Sequence, residues 1–239
     1  MDTTTYIALS GEAAREQQMA VLANNIANMS TPGFKGERML FSEYLANAAG
    51  GSQIAYVTQA GNNHDMSEGP LKQTGNPLDI ALNGEGWLAV TTPNGTAYTR
   101  SGHFQLDPQG EIITSSGYQL QNDSGAPIVV PADSGSVTIG ADGTVATADG
   151  TIGHIPVVTF TNPQLMVAQA NGLYDTSEAP QPVTTTTIAQ GAIEDSNVQP
   201  ILAMTQLLNA ANELKAAKTF SDAENDRLKT AIEQLGKTV

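Results

Sequence analysis

The sequence predicts an α+β protein, with long N- and C-terminal helices packing together and a central, mainly antiparallel β-domain between them. Three observations carry that expectation. Apolar residues recur at steps of three and four near both ends of the chain, which is the period of one helix face. From Leu78 to about Ile188, short alternating or β-branched runs are cut by turn signals at intervals of about ten residues, the spacing of an all-β domain. Asn-Gly or Asp-Gly pairs at 83–84, 94–95, 142–143, 149–150 and 171–172 punctuate that stretch and suit the closing of hairpins.

The first helix is expected over residues 3 to 29, rich in Ala, Gln and Glu, with Leu22, Ile26 and Met29 on one face. Thr31-Pro32-Gly33 stops it: proline does not continue a helix, and glycine accepts the left-handed conformation that commonly closes one. Asn24, Asn25 and Asn28 crowd its end, either as capping and solvated amides or as amides meant for something that packs there. Residues 46–75 are rich in Gly, Asn, Gln and Ser without a sustained period and read as an extended connector.

The β-domain is expected over residues 76–190, with strand candidates at 78–83, 86–92, 96–100, 103–107, 111–115, 118–122, 128–131, 136–140 and 155–160. "ADGT" occurs at 141 and again at 148, with only "VAT" between the copies, which predicts two turns flanking a short strand. Residues 191–239 return to helical grammar. Asp195 or Ser196 is a candidate N-cap and Pro200 suits the first turn, while Ile201, Met204, Leu208, Ala211 and Leu214 fall on one face. Neither terminal helix can bury its stripe alone, so residues 1–45 and 191–239 are expected to pack on each other and on neighbouring copies.

The 239-residue chain has a formal charge of −14, distributed unevenly: residues 46–190 hold twelve acids against two bases. A surface so acidic argues against nucleic acid or anionic lipid as the main partner, because both require a basic footprint. There is no cysteine, hence no disulfide and no thiolate metal site. No N-terminal pattern of basic region, apolar stretch and small-residue cleavage site is present, and no apolar run is long enough to span a bilayer.

Catalytic chemistry finds no support. His64, His103 and His154 lie in unrelated contexts without a nucleophile elbow, and "HDMSE" at 64–68 matches no strong metal template. Each Asp-Gly turn supplies one acid, where a calcium loop needs several converging oxygens. The expectation is therefore a non-enzyme, with no catalytic, cofactor-binding or metal-ligating residue and no cofactor.

Four stretches in order carry a resemblance. After the Asn-rich helix end come Thr31, Gly33, Phe34 and Lys35, matching T-x-G-F-K. Asn76, Pro77, Leu78, Asp79, Ala81, Gly84 and Gly86 match N-P-L-D-x-A-I-x-G-x-G-F-F, with Trp87 and Leu88 in place of its two aromatics. Tyr98, Thr99, Arg100, Gly102 and Phe104 match Y-T-R-x-G-x-F, and Gln190, Gly191, Glu194, Ser196, Asn197 and Val198 match Q-G-x-x-E-x-S-N-V. Together these resemble the flagellar basal-body rod protein family, most closely its proximal-rod members. Asn212 and Leu214 stand where relatives usually carry Arg and Tyr, and the tail from Phe220 runs beyond the usual ending.

The resemblance implies a structural axial component of the bacterial flagellum, placed in the periplasmic rod of the basal body and transmitting motor torque. It implies export through the flagellar type III apparatus, and assembly with copies of itself and other rod proteins through an inner layer of terminal helices. Subunit-interface candidates are then Leu22, Asn24, Asn25, Ile26, Asn28 and Met29, with Ile201, Met204, Leu208 and Ala211. Pro32, Gly33 and Phe34 form the turn out of that layer, while Asn76, Pro77, Leu78, Asp79, Tyr98 and Arg100 belong to the β-domain motifs. A distal-rod or other axial protein shares nearly all these motifs. A secreted polysaccharide-binding β-domain is a poorer alternative, because Trp87 is the only tryptophan and such a cleft needs clustered aromatics.

Overall fold

The computed structural model describes residues 3–47 and 53–236, and the chain divides into two compact units. The first comprises residues 1–27, 37–63 and 199–239, and the second residues 28–36 and 64–198.

In the first unit, helix α1 (Thr3–Ala27) packs along helix α2 (Pro200–Gly236). On α1 the buried positions are Ala14, Val21, Leu22 and Asn25. On α2 they are Ala203 and Ala210, with Leu207, Leu214 and Ala217 half-buried, again at steps of three and four. Alanines at the contact let two helix axes approach closely. Lys218 Nζ meets Glu16 Oε1 at 2.8 Å, and Arg15 Nε meets Glu213 Oε2 at 3.4 Å. Exposed pairs of this kind contribute about 0–1 kcal/mol each, so they help to set register more than stability.

Strands β1 (Glu37–Asn47) and β2 (Gln53–His64) form a two-stranded sheet. Within the extended connector expected over 46–75, residues Gln53–His64 pair as a strand with β1, a pairing the sequence did not announce. The sequence "QIAYVTQ" at 53–59 has the β-branched and aromatic content of a strand, but flanking Gly and Asn interrupt the alternation that would announce it. The first helix also ends at Ala27, so Met29 lies in the turn that follows and not on a helix face.

The second unit holds β3 (Leu71–Gln73), β4 (Ile80–Asn83), β5 (Trp87–Thr92), β6 (Gly95–Thr99), β7 (Phe104–Leu106), β8 (Ile112–Thr114) and β9 (Gln119–Leu120). These are followed by β10 (Thr138–Ile139), β11 (Thr144–Thr147), β12 (Gly150–His154), β13 (Val157–Thr159), β14 (Val167–Ala168) and β15 (Leu173–Asp175). Last come β16 (Gln181–Pro182), β17 (Thr187–Gln190) and β18 (Ala192–Glu194). The main sheet runs β14-β15-β6-β5-β9-β8-β7, with β13 and β16 attached through β5. Strands β10, β11 and β12 make a separate antiparallel sheet, and β17 pairs with β4 as β18 pairs with β3.

Side chains alternate across β5 and β6, so the main sheet feeds two apolar clusters. Leu88, Val90 and Ala97 join Ile80, Ile112, Leu120, Ile128, Val145 and Ile155 in the larger one. Trp87, Ala89 and Tyr98 join Phe160, Met166 and Tyr174 in the other. Strand β11 lies between the two "ADGT" turns as the echo predicts. Residues 128–131 are not a strand; Val129 makes only an isolated bridge to Glu111. The strands of 187–194 were not expected, and they hold the chain against β3 and β4 immediately before α2.

Candidate assembly helices and a buried ion clasp

Helix α2 is apolar on two sides about 100° apart. Ala203, Leu207, Ala210 and Leu214 face inward, whereas Ile201, Met204 and Leu208 are 84%, 44% and 66% exposed. Ala211 lies half-buried at the border. The row read from the sequence therefore divides: Ile201, Met204 and Leu208 face outward, Ala211 lies at the border and Leu214 faces inward, in line with Ala203, Leu207 and Ala210. Beyond Ala211 the outward side turns polar, with Lys215, Asp222, Asp226 and Lys229 exposed.

The three asparagines of α1 and its turn separate into different roles. Asn25 is 7% exposed, and its amide clasps one residue of β1: Nδ2 donates to the Glu37 carbonyl at 2.8 Å and Oδ1 accepts from the Glu37 N–H at 2.8 Å. That side chain is therefore committed to its own chain, unlike the subunit-seam amide the sequence suggested. Asn28 shapes the turn: its carbonyl accepts from the Thr31 N–H at 3.1 Å and its Oδ1 accepts from the Thr31 hydroxyl at 3.2 Å. Asn24 is exposed, Leu22 buried, and Ile26 and Met29 half-buried. Asn25→Ala is expected to destabilise the helical unit by about 1–3 kcal/mol, since two strand groups lose their partners. Helical circular dichroism during urea titration measures this; an unchanged midpoint would remove Asn25 from the framework.

After the turn, residues from three distant motifs converge inside the second unit. Glu194 is 1% exposed, and its carboxylate lies between Lys35 (2% exposed) and Arg100 (3% exposed). Lys35 Nζ donates to Glu194 Oε1 at 2.7 Å and to the Ser67 carbonyl at 2.7 Å. Arg100 Nε donates to Glu194 Oε2 at 2.9 Å, and its Nη1 donates to the carbonyls of Gly84 at 2.8 Å and Gly86 at 2.7 Å. The Gly69 N–H completes the carboxylate at 2.9 Å. Two cations against one anion is an unbalanced buried cluster, and burial holds the Lys35 ammonium below its ordinary pKa although Glu194 pulls it upward.

Asn197 extends the clasp: its Oδ1 accepts from the Gly36 N–H at 2.8 Å and its Nδ2 donates to the Asp65 carbonyl at 2.7 Å. The Gly33 N–H donates to the Glu194 carbonyl at 2.8 Å. Residues 33–36 are thereby tied to 194–197 by backbone, amide and ion pair together. Pro32 and Phe34 are half-buried beside them, and the Phe34 N–H closes the turn onto the Thr31 carbonyl at 3.2 Å.

The second β-domain motif is a turn with a buried acid. Asn76 Oδ1 accepts from the Leu78 N–H at 3.3 Å and its Nδ2 donates to Asp79 Oδ1 at 3.0 Å, while Gln190 Nε2 donates to the Pro77 carbonyl at 2.8 Å. Asp79 also lies 2.8 Å from His103 Nδ1, which gives His103 a structural partner. Tyr98 stacks edge-on against Phe160, with ring centroids 4.7 Å apart. Among the described residues, no cluster of three or more His, Asp or Glu side chains gathers at metal-binding distance, and no helix is long and apolar enough to cross a membrane.

Two family models match: the flagella basal body rod protein model over residues 6–35, and the flagellar hook protein FlgE/F/G D1 domain model over residues 81–147. The flagellar basal-body rod protein FlgF of Caulobacter vibrioides is 33% identical over 243 aligned residues, covering 99% of both chains. The chain belongs to the flagellar basal-body rod protein family. FlgF of Escherichia coli is 31% identical across 90% of this rod protein and 91% of its own length, and FlgG of Bacillus subtilis is 33% identical across 86% and 88%. The Caulobacter match spans 99% of this chain, so that relative shares nearly all of the C-terminal tail. As a family member, this rod protein is a structural component of the flagellar basal body and assembles with other rod components.

The sequence motifs named Arg100 as a β-domain residue and Glu194 and Lys35 as pattern matches, without linking them. One signal was available: Arg100 is one of only two bases between residues 46 and 190, the other being Lys72. A lone arginine in an acidic stretch has reason to be paired.

Proposed function

We propose that this protein polymerises through its terminal helices into the proximal part of the rod, where it transmits motor torque along the periplasmic axis. The observation that carries the proposal is the outward apolar row of α2, with Ile201 and Leu208 at 84% and 66% exposure on a helix whose other side is already packed. Burial of a large aliphatic side chain is worth about 1.5–3 kcal/mol, so three or four of them repeated at each subunit suffice to hold an axial contact. A heterologous contact that does not close gives a helical filament. Asn24 and Asn28, near the end of α1, are the amides placed to fix register at such a seam. The role is structural and asks for no catalysis or cofactor. Export through the flagellar type III apparatus belongs to the same proposal. A distal-rod position is the second reading, favoured by the 33% identity to FlgG of Bacillus subtilis.

The test is Met204→Lys combined with Leu208→Lys. Both positions are exposed in the monomer, so the thermal midpoint is expected to move by no more than a degree or two, the scale set by about 0.5 kcal/mol for surface changes. Recovery of the protein in purified basal bodies and swimming on soft agar are expected to fall to background. Normal incorporation of the double variant would overturn the role given to this face. Fractionation of rods into proximal and distal parts separates the two positions.

A further inference from the structure

We propose that His154 is a proton-operated latch between the small β10-β11-β12 sheet and the loop at residues 122–126 beside the main sheet, fastened at acidic pH and released as pH rises. His154 stands at the end of β12 with both ring nitrogens against oxygens: Nδ1 is 2.9 Å from Asp123 Oδ1, and Nε2 is 2.8 Å from the Asp142 carbonyl. A carbonyl only accepts a hydrogen bond, and so does an ionised carboxylate. Both contacts are therefore hydrogen bonds only when the ring carries two N–H groups. The neutral ring leaves one nitrogen lone pair facing oxygen and must surrender a partner; in the latch the retained N–H is Nε2–H, on the Asp142 carbonyl of the same small sheet, and the partner given up is Asp123.

The two partners belong to different segments. Asp123 lies in the 122–126 loop, which is folded over the Asn122 side chain: Asn122 Oδ1 accepts from the N–H groups of Ser124 at 2.9 Å and Ala126 at 3.1 Å. Asp142 lies in the tight turn from β10 to β11, where its own carboxylate accepts from the Thr144 N–H at 3.0 Å and hydroxyl at 2.8 Å. Asp123 and Asp142 are the acidic groups facing the ring. The Asp123 hydrogen bond holds the His154 pKa above its ordinary value, with the Asp142 carbonyl contributing and burial opposing. The Thr144 hydrogen bonds keep the Asp142 carboxyl below the usual range, so that group stays ionised while the histidine titrates.

The sign follows. A histidine whose folded pKa is raised contributes its stability fully below the unfolded value, near pH 6.5, and loses it as pH rises through the higher folded value. His154 is 41% exposed and Asp123 is 63% exposed, so solvent screening confines the effect to local opening and global unfolding is little changed. In the assembled rod the latch would make one face of the β-domain stiffer in acid than in alkali.

Ring titration by NMR on the full chain, with amide exchange divided by intrinsic rates between pH 5 and 8, tests the latch. The His154 midpoint is expected above that of the unfolded chain, and Asp123→Asn is expected to draw it down. Protection of the amides of Ser124 and Ala126 is expected to fall through the His154 midpoint in wild type and in His103→Gln, and to lose that step in His154→Gln. A His154 midpoint at or below the unfolded value, or an identical protection step in His154→Gln, overturns the proposal.

Discussion

Glu194→Ala is expected to lower the stability of the second unit by about 3–5 kcal/mol, the range for removing one partner of a buried ion pair. The side chain is 1% exposed and accepts from Lys35, from Arg100 and from the Gly69 N–H. Its loss leaves two buried cations without a counter-charge and an amide without an acceptor. Lys35→Met is the informative contrast. It removes the cation whose burial already depresses its pKa, leaves Arg100 and Glu194 as a balanced pair, and gives up the bond to the Ser67 carbonyl. Its cost is expected to be well under half that of Glu194→Ala. The lowered Lys35 pKa also has a sign: the folded state binds that proton less tightly, so wild type gains stability as pH rises from the folded pKa towards 10.5, and Lys35→Met lacks the gain. Urea unfolding followed by the fluorescence of Trp87, the only tryptophan and 4% exposed in the second unit, reads both variants. Equal losses, or a Glu194→Ala midpoint matching wild type, would show that the cluster is not held by charge balance.

The helices were legible because apolar residues recur at steps of three and four at the end of α1 and along α2, and the Asn-Gly and Asp-Gly turns marked much of the β-domain. Which face of α2 packs inward was not legible. Periodicity grouped Ile201, Met204, Leu208, Ala211 and Leu214 on one face, yet only Leu214 of these faces inward, beside Leu207 and the buried Ala203 and Ala210, whose small side chains permit a close helix contact. The sheet of β1 and β2 was hidden by Gly, Gln and Asn, which break the period without preventing pairing. The clasp was beyond local reading altogether. Lys35 and Glu194 are separated by 159 positions and Arg100 and Glu194 by 94, so no window of sequence holds the pair. The role of Asn25 was similarly concealed, since an amide near a helix end looks the same whether it faces water, a neighbour or the backbone of β1.

Gly33→Val is expected to cost the second unit about 2–6 kcal/mol, from two separable causes. Gly33 has φ +69°, a left-handed conformation in which a β-branched residue is strained by about 1–3 kcal/mol. A Cβ built there also falls 2.4 Å from the Arg100 carbonyl carbon and 2.4 Å from the Ser101 nitrogen, and those backbone atoms cannot swing aside as a side-chain tip would; such overpacking costs about 1–3 kcal/mol. Gly75 separates the causes, because its φ is +75° while nothing lies within 4 Å of the Cβ position. Gly75→Val therefore carries the strain without the collision and is expected to lose roughly half as much. The displaced segment at position 33 takes with it the hydrogen bond from the Gly33 N–H to the Glu194 carbonyl, so the clasp should loosen as well. Trp87-monitored urea unfolding gives the stability ranking, and recovery in basal bodies gives the assembly consequence. If Gly33→Val and Gly75→Val lost the same stability, the close approach to Arg100 would carry no energetic weight. If Gly33→Val also assembled normally, the turn at residues 31–34 would not be required for incorporation.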